Sequence, residues 1–501
     1  MNDDVPTRAS SVRPMLVGEI VRLAALSAPE VDAATLDDDA MTFAELDAAA
    51  NRLARALADL GAEKGARVCW WGDTTLDVMP VFVALARVGA VFAPVNARLS
   101  PDEAREVLEL ARPVLLVVDE GHAPLSASFD VATVGLAALH QLAASHPTHP
   151  LDAGTGPGPG ADLDETDAHV IFFTSGSTGR SKGVTLSHRC NWLRSYPGAQ
   201  NGAGGGTVNM FPLFHMAGWS QAMGTWQARR PIHLVRSPDA ESLLRTTERH
   251  RASRLYAIPA VWARILEHGV EGYDLSSVRE ADTGTSAVPP ELVARIKAAL
   301  PHTVTRIFYG STESGPAALL DDADTARKPG SVGRAQPGIE LQLAENGEVC
   351  VRSPFLMTGY FDQPEETARA IDADGWYHSG DLGVFDDEGF LSITGRVRDV
   401  IRTGGETVSP IEVEDALRDH PSIDEVAVVG LPDPEWGELV CAVVVTSATV
   451  DLDDLRAHCE GRLASFKRPR RVEIVDALPR TVATGQIQRT LIVERIQAQR
   501  P

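Results

Sequence analysis

"VIFFTSGSTGRSKGV", residues 170–184, is an apolar run that feeds directly into a turn of glycines and hydroxyl residues, closely followed by a lysine. Val170 to Phe173 offer no polar face, as expected of a strand covered on both sides within an α/β sheet. Gly176 and Gly179 let the backbone bend so that several N–H groups converge on one anion. Thr174, Ser175, Ser177 and Thr178 add hydroxyls that can donate to phosphate oxygens or ligate a metal. Lys182 supplies a point charge. The spacing differs from GxxxxGK[ST], because Gly183 rather than a hydroxyl residue follows the lysine. The stretch predicts a phosphate-holding turn at the end of a buried strand.

The sequence on either side alternates in the same sense. "MTFAELDAAANRLARALADLGAEKGARVCWWG" (41–72) opens with Thr42 three residues before Glu45, the spacing of a capping box. Leu46, Ala50, Leu53, Leu57 and Leu60 then recur on one helical face, and Gly61 ends the helix. Strand-like and helix-like segments alternate up to about residue 118, which predicts α/β layers with a largely parallel sheet. Residues 150–166 are rich in Gly, Pro and Asp and read as a loop. A second alternating block runs from about 167 to 330. Short strands and turns follow from 340 to 395, and a last α+β unit spans about 399 to 501.

A chain of 501 residues exceeds one compact core. Its 46 basic and 69 acidic side chains give a formal net charge of −23, which disfavours nucleic acid or an anionic membrane held by bulk attraction. Five cysteines without CxxC or zinc-ligand spacing imply free thiols in a reducing cytoplasm. "MLVGEIVRLAALSAPEV" (15–31) carries Glu19 and Arg22 at helical spacing and reads as an amphipathic helix rather than a leader. Apolar runs such as "LVCAVVV" (439–445) are strand-length, so no integral membrane contact is expected.

Further motifs follow in order: "FPLFHMAGW" (211–219), "TGTSAVPPEL" (283–292), "FYGSTESG" (308–315), "YHSGDLG" (377–383) and "GRVRDVIRTGGETVSPIEVE" (395–414). Together with "TSGSTGRSKG" they make the chain, from about 40 to 490, resemble the AMP-forming acyl-adenylating enzymes. The resemblance implies a large N-terminal domain over 1–397, with layered α/β sheets and a small barrel-like β subdomain. A small mobile α+β domain over 398–501 would follow, hinged at Arg398 and Asp399. It also implies two steps: a carboxylic acid attacks ATP to give acyl-AMP, and a thiol, usually that of coenzyme A, then displaces AMP. ATP, Mg²⁺ and CoA are the expected small molecules, and a homodimer is left open.

The first step brings an anion to a polyanion, so metal and cations must offset the repulsion. Glu313, a carboxylate following hydroxyls at a strand end, is the natural Mg²⁺ ligand. The resemblance adds Thr174 to the metal shell and assigns Thr312 to the α-phosphate. Asp381, between glycine-containing turns, can accept both ribose hydroxyls, and Arg396 would join it. Tyr309, beside Gly310, would stack on adenine, with Gly284, Thr285 and Ser286 across from it. Gly404 and Gly405 would leave room for the pantetheine arm of CoA.

"PRTVATGQIQR" (479–489) departs from the family pattern. A lysine is usual after the glycine; here Gln486 stands, with one extra residue between Thr481 and Gly485. Lys467, Arg480 and Arg489 are the candidate substitutes. An amide brings no charge, so adenylation is expected to be slow while transfer from preformed acyl-AMP survives. His215 and Trp219 are spaced as in long-chain acyl-CoA synthetases, where the tryptophan gates the fatty-acid tunnel, and Ile258 would line the same tunnel. The expected acid is a medium- or long-chain fatty acid or an aryl- or steroid-type alkanoate. Loading of a carrier-protein phosphopantetheine and non-catalytic nucleotide binding are the alternatives.

Overall fold

The computed structural model describes residues 14–151, 160, 162–175, 181–200, 204–403, 406–481 and 485–498, without the side chains of 175 and 197–200. The chain is a mixed α/β protein that divides into two compact units. The first comprises 1–255, 271–279 and 354–364; the second comprises 256–270, 280–353 and 365–501.

In the first unit, a seven-stranded sheet runs Gly359–Tyr360, Ser181–Ser187, Ala168–Ser175, Val91–Val95, Arg67–Trp71, Leu115–Val118, Thr133–Gly135. The last five strands in that order pair in parallel, and the first two join antiparallel. Val170, Ile171 and Phe172 are buried, as their uniform apolarity requires. The helix Phe43–Asp59 starts in the expected capping box, with the Glu45 N–H donating to the Thr42 hydroxyl at 3.2 Å and the Thr42 N–H to the Glu45 carboxylate at 2.9 Å. Its apolar stripe is one residue shorter than the sequence suggests. Leu60 lies beyond the last turn and is exposed, because Gly61 at φ 90° turns the chain away. The helix Val17–Ser27 buries Val17, Ile20, Val21 and Ala24 against the same layer.

In the second unit, the strands Glu280–Gly284, Ile307–Ser311, Gly315–Leu320 and Arg334–Ala335 pair in sequence order, the first pair parallel and the others antiparallel. Glu340–Leu343, Glu348–Arg352, Tyr377–Phe385 and Leu391–Arg396 form an antiparallel four-stranded sheet. The C-terminal part pairs Glu425–Asp433 with Gly437–Val445 over nine registered positions, and Arg471–Ile474 joins in parallel. Helices Pro410–Arg418 and Arg489–Ala498 both contact the strand Glu425–Asp433. Two clusters, one around Val413, Val428 and Val440 and one around Val429, Val443 and Ile492, form the core here.

All five cysteines are free and buried. Among the described residues no helix is long and apolar enough to cross a membrane.

Candidate active site

In the first unit the quoted strand and its successor form an antiparallel pair in which Thr174 faces Lys182. The Lys182 ammonium lies 4.8 Å from the centre of the Tyr360 ring, an attraction between cation and ring face. Thr174 is half-buried. Gly176, Ser177, Thr178 and Gly179 lie outside the described residues, as does the side chain of Ser175.

His215 begins the helix Met216–Gln227, and its Nδ1 accepts the Ala217 N–H at 3.2 Å. Its ring stacks on Phe211 at 5.4 Å. Burial pushes its pKa down to about 4, so the imidazole is neutral near pH 7 and can accept the capping bond. Trp219, one turn on, is fully buried. It donates to the Leu213 carbonyl at 2.6 Å, stacks on Phe82 at 4.0 Å and meets Phe92 edge-on. These contacts make it a core side chain of this unit.

In the second unit the expected nucleotide residues converge. The strand Glu280–Gly284 ends in backbone that favours glycine: Gly284 has φ 153°, and a Cβ there would lie 2.2 Å from the Phe308 carbonyl oxygen. Thr285 follows at φ 74°, a conformation that costs a non-glycine residue about 1–3 kcal/mol unless its surroundings enforce it. Two contacts do so. Its hydroxyl lies 3.2 Å from the Tyr256 hydroxyl, and its carbonyl accepts the Gln486 Nε2–H at 3.1 Å. The strand itself is held by Asp282, fully buried and bound through two oxygens to Arg306 at 3.0 and 2.9 Å, with Glu280 2.8 Å from the same guanidinium. These neighbouring carboxylates outweigh desolvation and raise the Arg306 pKa. Ser286 continues the loop and is half-buried.

The adjacent strand Ile307–Ser311 carries Tyr309, whose hydroxyl donates to Asp381 at 2.8 Å. Burial, then the Asp381 charge, drives the Tyr309 pKa well up, so the phenol stays protonated. Asp381 sits directly opposite Arg396 across two antiparallel strands, with Arg396 Nε 2.9 Å from its carboxylate. Gly310 is packed so closely that a Cβ would lie 2.1 Å from the Gly315 carbonyl oxygen. Thr312 and Glu313, both half-buried, occupy the tight turn between that strand and Gly315–Leu320. The turn is clipped reciprocally: the Ser311 N–H donates to the Ser314 hydroxyl at 3.1 Å, and the Ser314 N–H to the Ser311 hydroxyl at 3.0 Å.

Gln486 lies in a turn where the Thr481 N–H donates to its carbonyl at 2.7 Å and its own N–H donates to the Thr481 hydroxyl at 3.1 Å. Ile258, buried at the start of helix Pro259–His268, has its Cδ1 3.8 Å from where a Cβ on Gly485 would be. Ile258 and Thr285 therefore each approach the Gly485–Gln486 turn, Ile258 at Gly485 and Thr285 at Gln486. The candidate substitute cations are paired: Lys467 with Glu412, Arg489 with Glu414 and Asp399, and Arg480, on the Gln486 turn itself, with Glu425 and the Gly485 carbonyl. Arg398 is half-exposed, 3.4 Å from Asp399. Gly404 and Gly405 lie outside the described residues, between strands in which Thr403 pairs with Glu406.

Sequence reading missed Tyr256, Asp282 and Arg306. The last two carry no motif, and only their place in the alternating block from about 167 to 330 could have hinted at a cross-strand pair.

The chain matches the model of the AMP-binding enzymes over residues 22–361 and that of the AMP-binding enzyme C-terminal domain over 412–484. It is 33% identical to a 3-[(3aS,4S,7aS)-7a-methyl-1,5-dioxo-octahydro-1H-inden-4-yl]propanoyl:CoA ligase of Rhodococcus jostii, covering 96% of this chain and 99% of that one. It is also 33% identical to a feruloyl-CoA synthase of an Amycolatopsis species, covering 93% and 96%. The structure resembles that of ATP-bound MatB from Rhodopseudomonas palustris with a TM-score of 0.85 and 28% identity, over 97% of this chain and 99% of that one. The chain belongs to the AMP-binding enzyme family, and within it to the acyl-CoA synthetases.

Proposed function

We propose that this chain joins a carboxylic acid to coenzyme A in the cytoplasm, with ATP cleaved to AMP and pyrophosphate and acyl-AMP as the intermediate. The observation that carries the reading is the convergence of Gly284–Thr285, Tyr309, Asp381 and Arg396 within one unit. An aromatic ring, a carboxylate suited to a vicinal diol and a guanidinium suited to phosphate stand on neighbouring strands.

Tyr309 offers its ring to adenine and its hydroxyl to Asp381, which fixes the carboxylate for the ribose. Thr174, Ser175, Gly176, Ser177, Thr178 and Gly179 cradle the phosphates, and Lys182 and Thr312 reach them. Among the described residues no group of three or more His, Cys, Asp or Glu side chains could hold a metal ion. Mg²⁺ binds through one or two carboxylates plus substrate phosphates; Glu313, on its clipped turn, and Thr174 are the protein ligands we assign to it. When bound, the ion neutralises charge on the leaving pyrophosphate. Residues 398–501 act as the mobile domain, with Arg398 and Asp399 as hinge and Gly404 and Gly405 beside the pantetheine arm.

The acid is a bulky apolar or aryl alkanoate, and His215 and Ile258 are the residues we assign to its recognition. The relatives named for a bicyclic propanoate and for ferulate support that class, and the neutral, half-buried His215 suits an apolar wall. Gln486 favours a second element: its amide donates to the Thr285 carbonyl and brings no positive charge to the reacting carboxylate. Losing one charged contact to a developing anion costs about 3–4 kcal/mol, roughly 10²–10³ in rate. Adenylation is then the slow step, and thioester formation from supplied acyl-AMP is fast.

Gln486→Lys, assayed by pyrophosphate release across aryl-propanoates and fatty acids with CoA and with a holo-carrier protein as acceptors, tests this. The expected result is a faster first half-reaction, unchanged transfer from synthetic acyl-AMP, and CoA as the working acceptor. An unchanged first step rejects the role of residue 486, and no AMP formed from any acid rejects ligase activity.

A further inference from the structure

We infer that Glu348 is a positioning residue for nucleotide binding, acting through Gly380 to aim the Asp381 carboxylate. The inference rests on the reading of Asp381 as the ribose ligand.

Asp381 stands at an irregular point of the strand Tyr377–Phe385. The residue before it, Gly380, has φ 74°. The pairing of this strand with Glu348–Arg352 slips between Glu348 and Cys350, so Glu348 pairs with Leu382 while Cys350 pairs with His378. The slip leaves the Gly380 N–H outside the regular ladder, and the Glu348 side chain captures it: Oε1 accepts the Gly380 N–H at 2.8 Å. The other oxygen, Oε2, lies 3.2 Å from Nδ1 of His378, two residues upstream of Gly380. One carboxylate thus spans the bend on its upstream side.

The rest of the bend is also fastened. The Asp381 N–H donates to the Ser379 hydroxyl at 3.0 Å, and the Gly380 carbonyl accepts the Val397 N–H at 2.8 Å. His378 Nε2 in turn lies 3.5 Å from Asp372, and the Cys350 sulfur 3.5 Å from His378 Nδ1. Glu348 is only 14% exposed, like Asp381 at 13%, so water does not readily replace it. A peptide N–H bound to a buried carboxylate is a charge-assisted bond, stronger than the neutral ladder bond it replaces. Removing it frees Gly380 to leave its left-handed conformation and turns Asp381 away from the diol.

The test uses the full chain and two probes, AMP and 2′,3′-dideoxy-AMP, measured by calorimetry with the parent, Glu348→Gln, Glu348→Ala and Asp381→Ala proteins. The dideoxy nucleotide lacks both hydroxyls that Asp381 would accept. Glu348→Ala is expected to weaken AMP by about tenfold, the scale of one lost hydrogen bond to a charged group, and to leave dideoxy-AMP unchanged. Glu348→Gln, which keeps an acceptor for the Gly380 N–H, should restore most of the loss. In an Asp381→Ala background, Glu348→Ala should add nothing further. Equal weakening of both nucleotides would overturn the inference, because a loosened fold would affect both, as would an unchanged AMP affinity. A parent protein that binds the two nucleotides equally would remove the ribose reading itself.

Discussion

Replacing His215 with Asn should flatten the acid side of the stability curve. Burial holds the imidazole neutral in the folded chain, with its pKa lowered from 6.5 to about 4. In the unfolded chain it regains its ordinary value. Between those two pH values the unfolded state binds the proton and the folded state does not, so stability falls as pH falls. The contribution is complete above about pH 6.5 and is lost toward pH 4. At pH 5 the difference corresponds to roughly 1.5 pK units, or about 2 kcal/mol on the scale of 1.36 kcal/mol per unit. Asn is a good N-cap residue and retains an acceptor for the Ala217 N–H, so the helix Met216–Gln227 keeps its start. What disappears is the titrating group, along with the stacking on Phe211. Urea unfolding of both proteins, followed by tryptophan fluorescence at pH 7, 6 and 5, measures the effect; Trp219 and Trp226 lie on the affected helix. The difference between parent and variant should shift by about 2 kcal/mol from pH 7 to pH 5, in favour of the variant at pH 5. Parallel curves would refute the reasoning, since a solvated His215 gives no such pH dependence.

Gly284→Ala should destabilise the chain by roughly 2–5 kcal/mol, since it combines strained backbone with a close approach to the Phe308 carbonyl; a urea midpoint unchanged from the parent would contradict the geometry. It should also weaken AMP in calorimetry, because the bend presents Thr285. Arg306→Met leaves Asp282 buried without its partner and should cost about 3–5 kcal/mol, with thermal unfolding as the assay. The double variant Arg306→Met, Asp282→Leu should recover part of that loss, because the isolated buried charge is gone.

Local signals were legible where one residue's chemistry determines its surroundings. Thr42 and Glu45 form their capping box, and Val170 to Phe172 are buried as their apolarity demands, with Phe173 partly so. The resemblance implies that Arg396 joins Asp381 at the ribose or phosphates, and the two are cross-strand partners. Non-local geometry was not legible. The Thr285–Gln486 contact joins residues 201 positions apart, and no periodicity encodes it. The Arg306–Asp282–Glu280 cluster looked like three unremarkable charges because burial emerges only when the strands pair. Trp219 illustrates the converse: the resemblance implies a tunnel gate, and although the Leu213 carbonyl that holds the ring lies within the motif, the Phe82 stack comes from a segment whose approach the motif does not describe.

The burial of every cysteine has a practical consequence. Cys69 and Cys190 belong to the first compact unit, and Cys350, Cys441 and Cys459 to the second. Burial raises the Cys350 thiol to about 11, so little nucleophilic thiolate forms at neutral pH. A disulfide reagent added to the native enzyme should therefore meet no ready target, and its consumption would time the opening of each unit separately once the modified peptides are mapped. The same silence provides a dark background: one cysteine introduced on the surface would be the sole fast-reacting handle for a spectroscopic label.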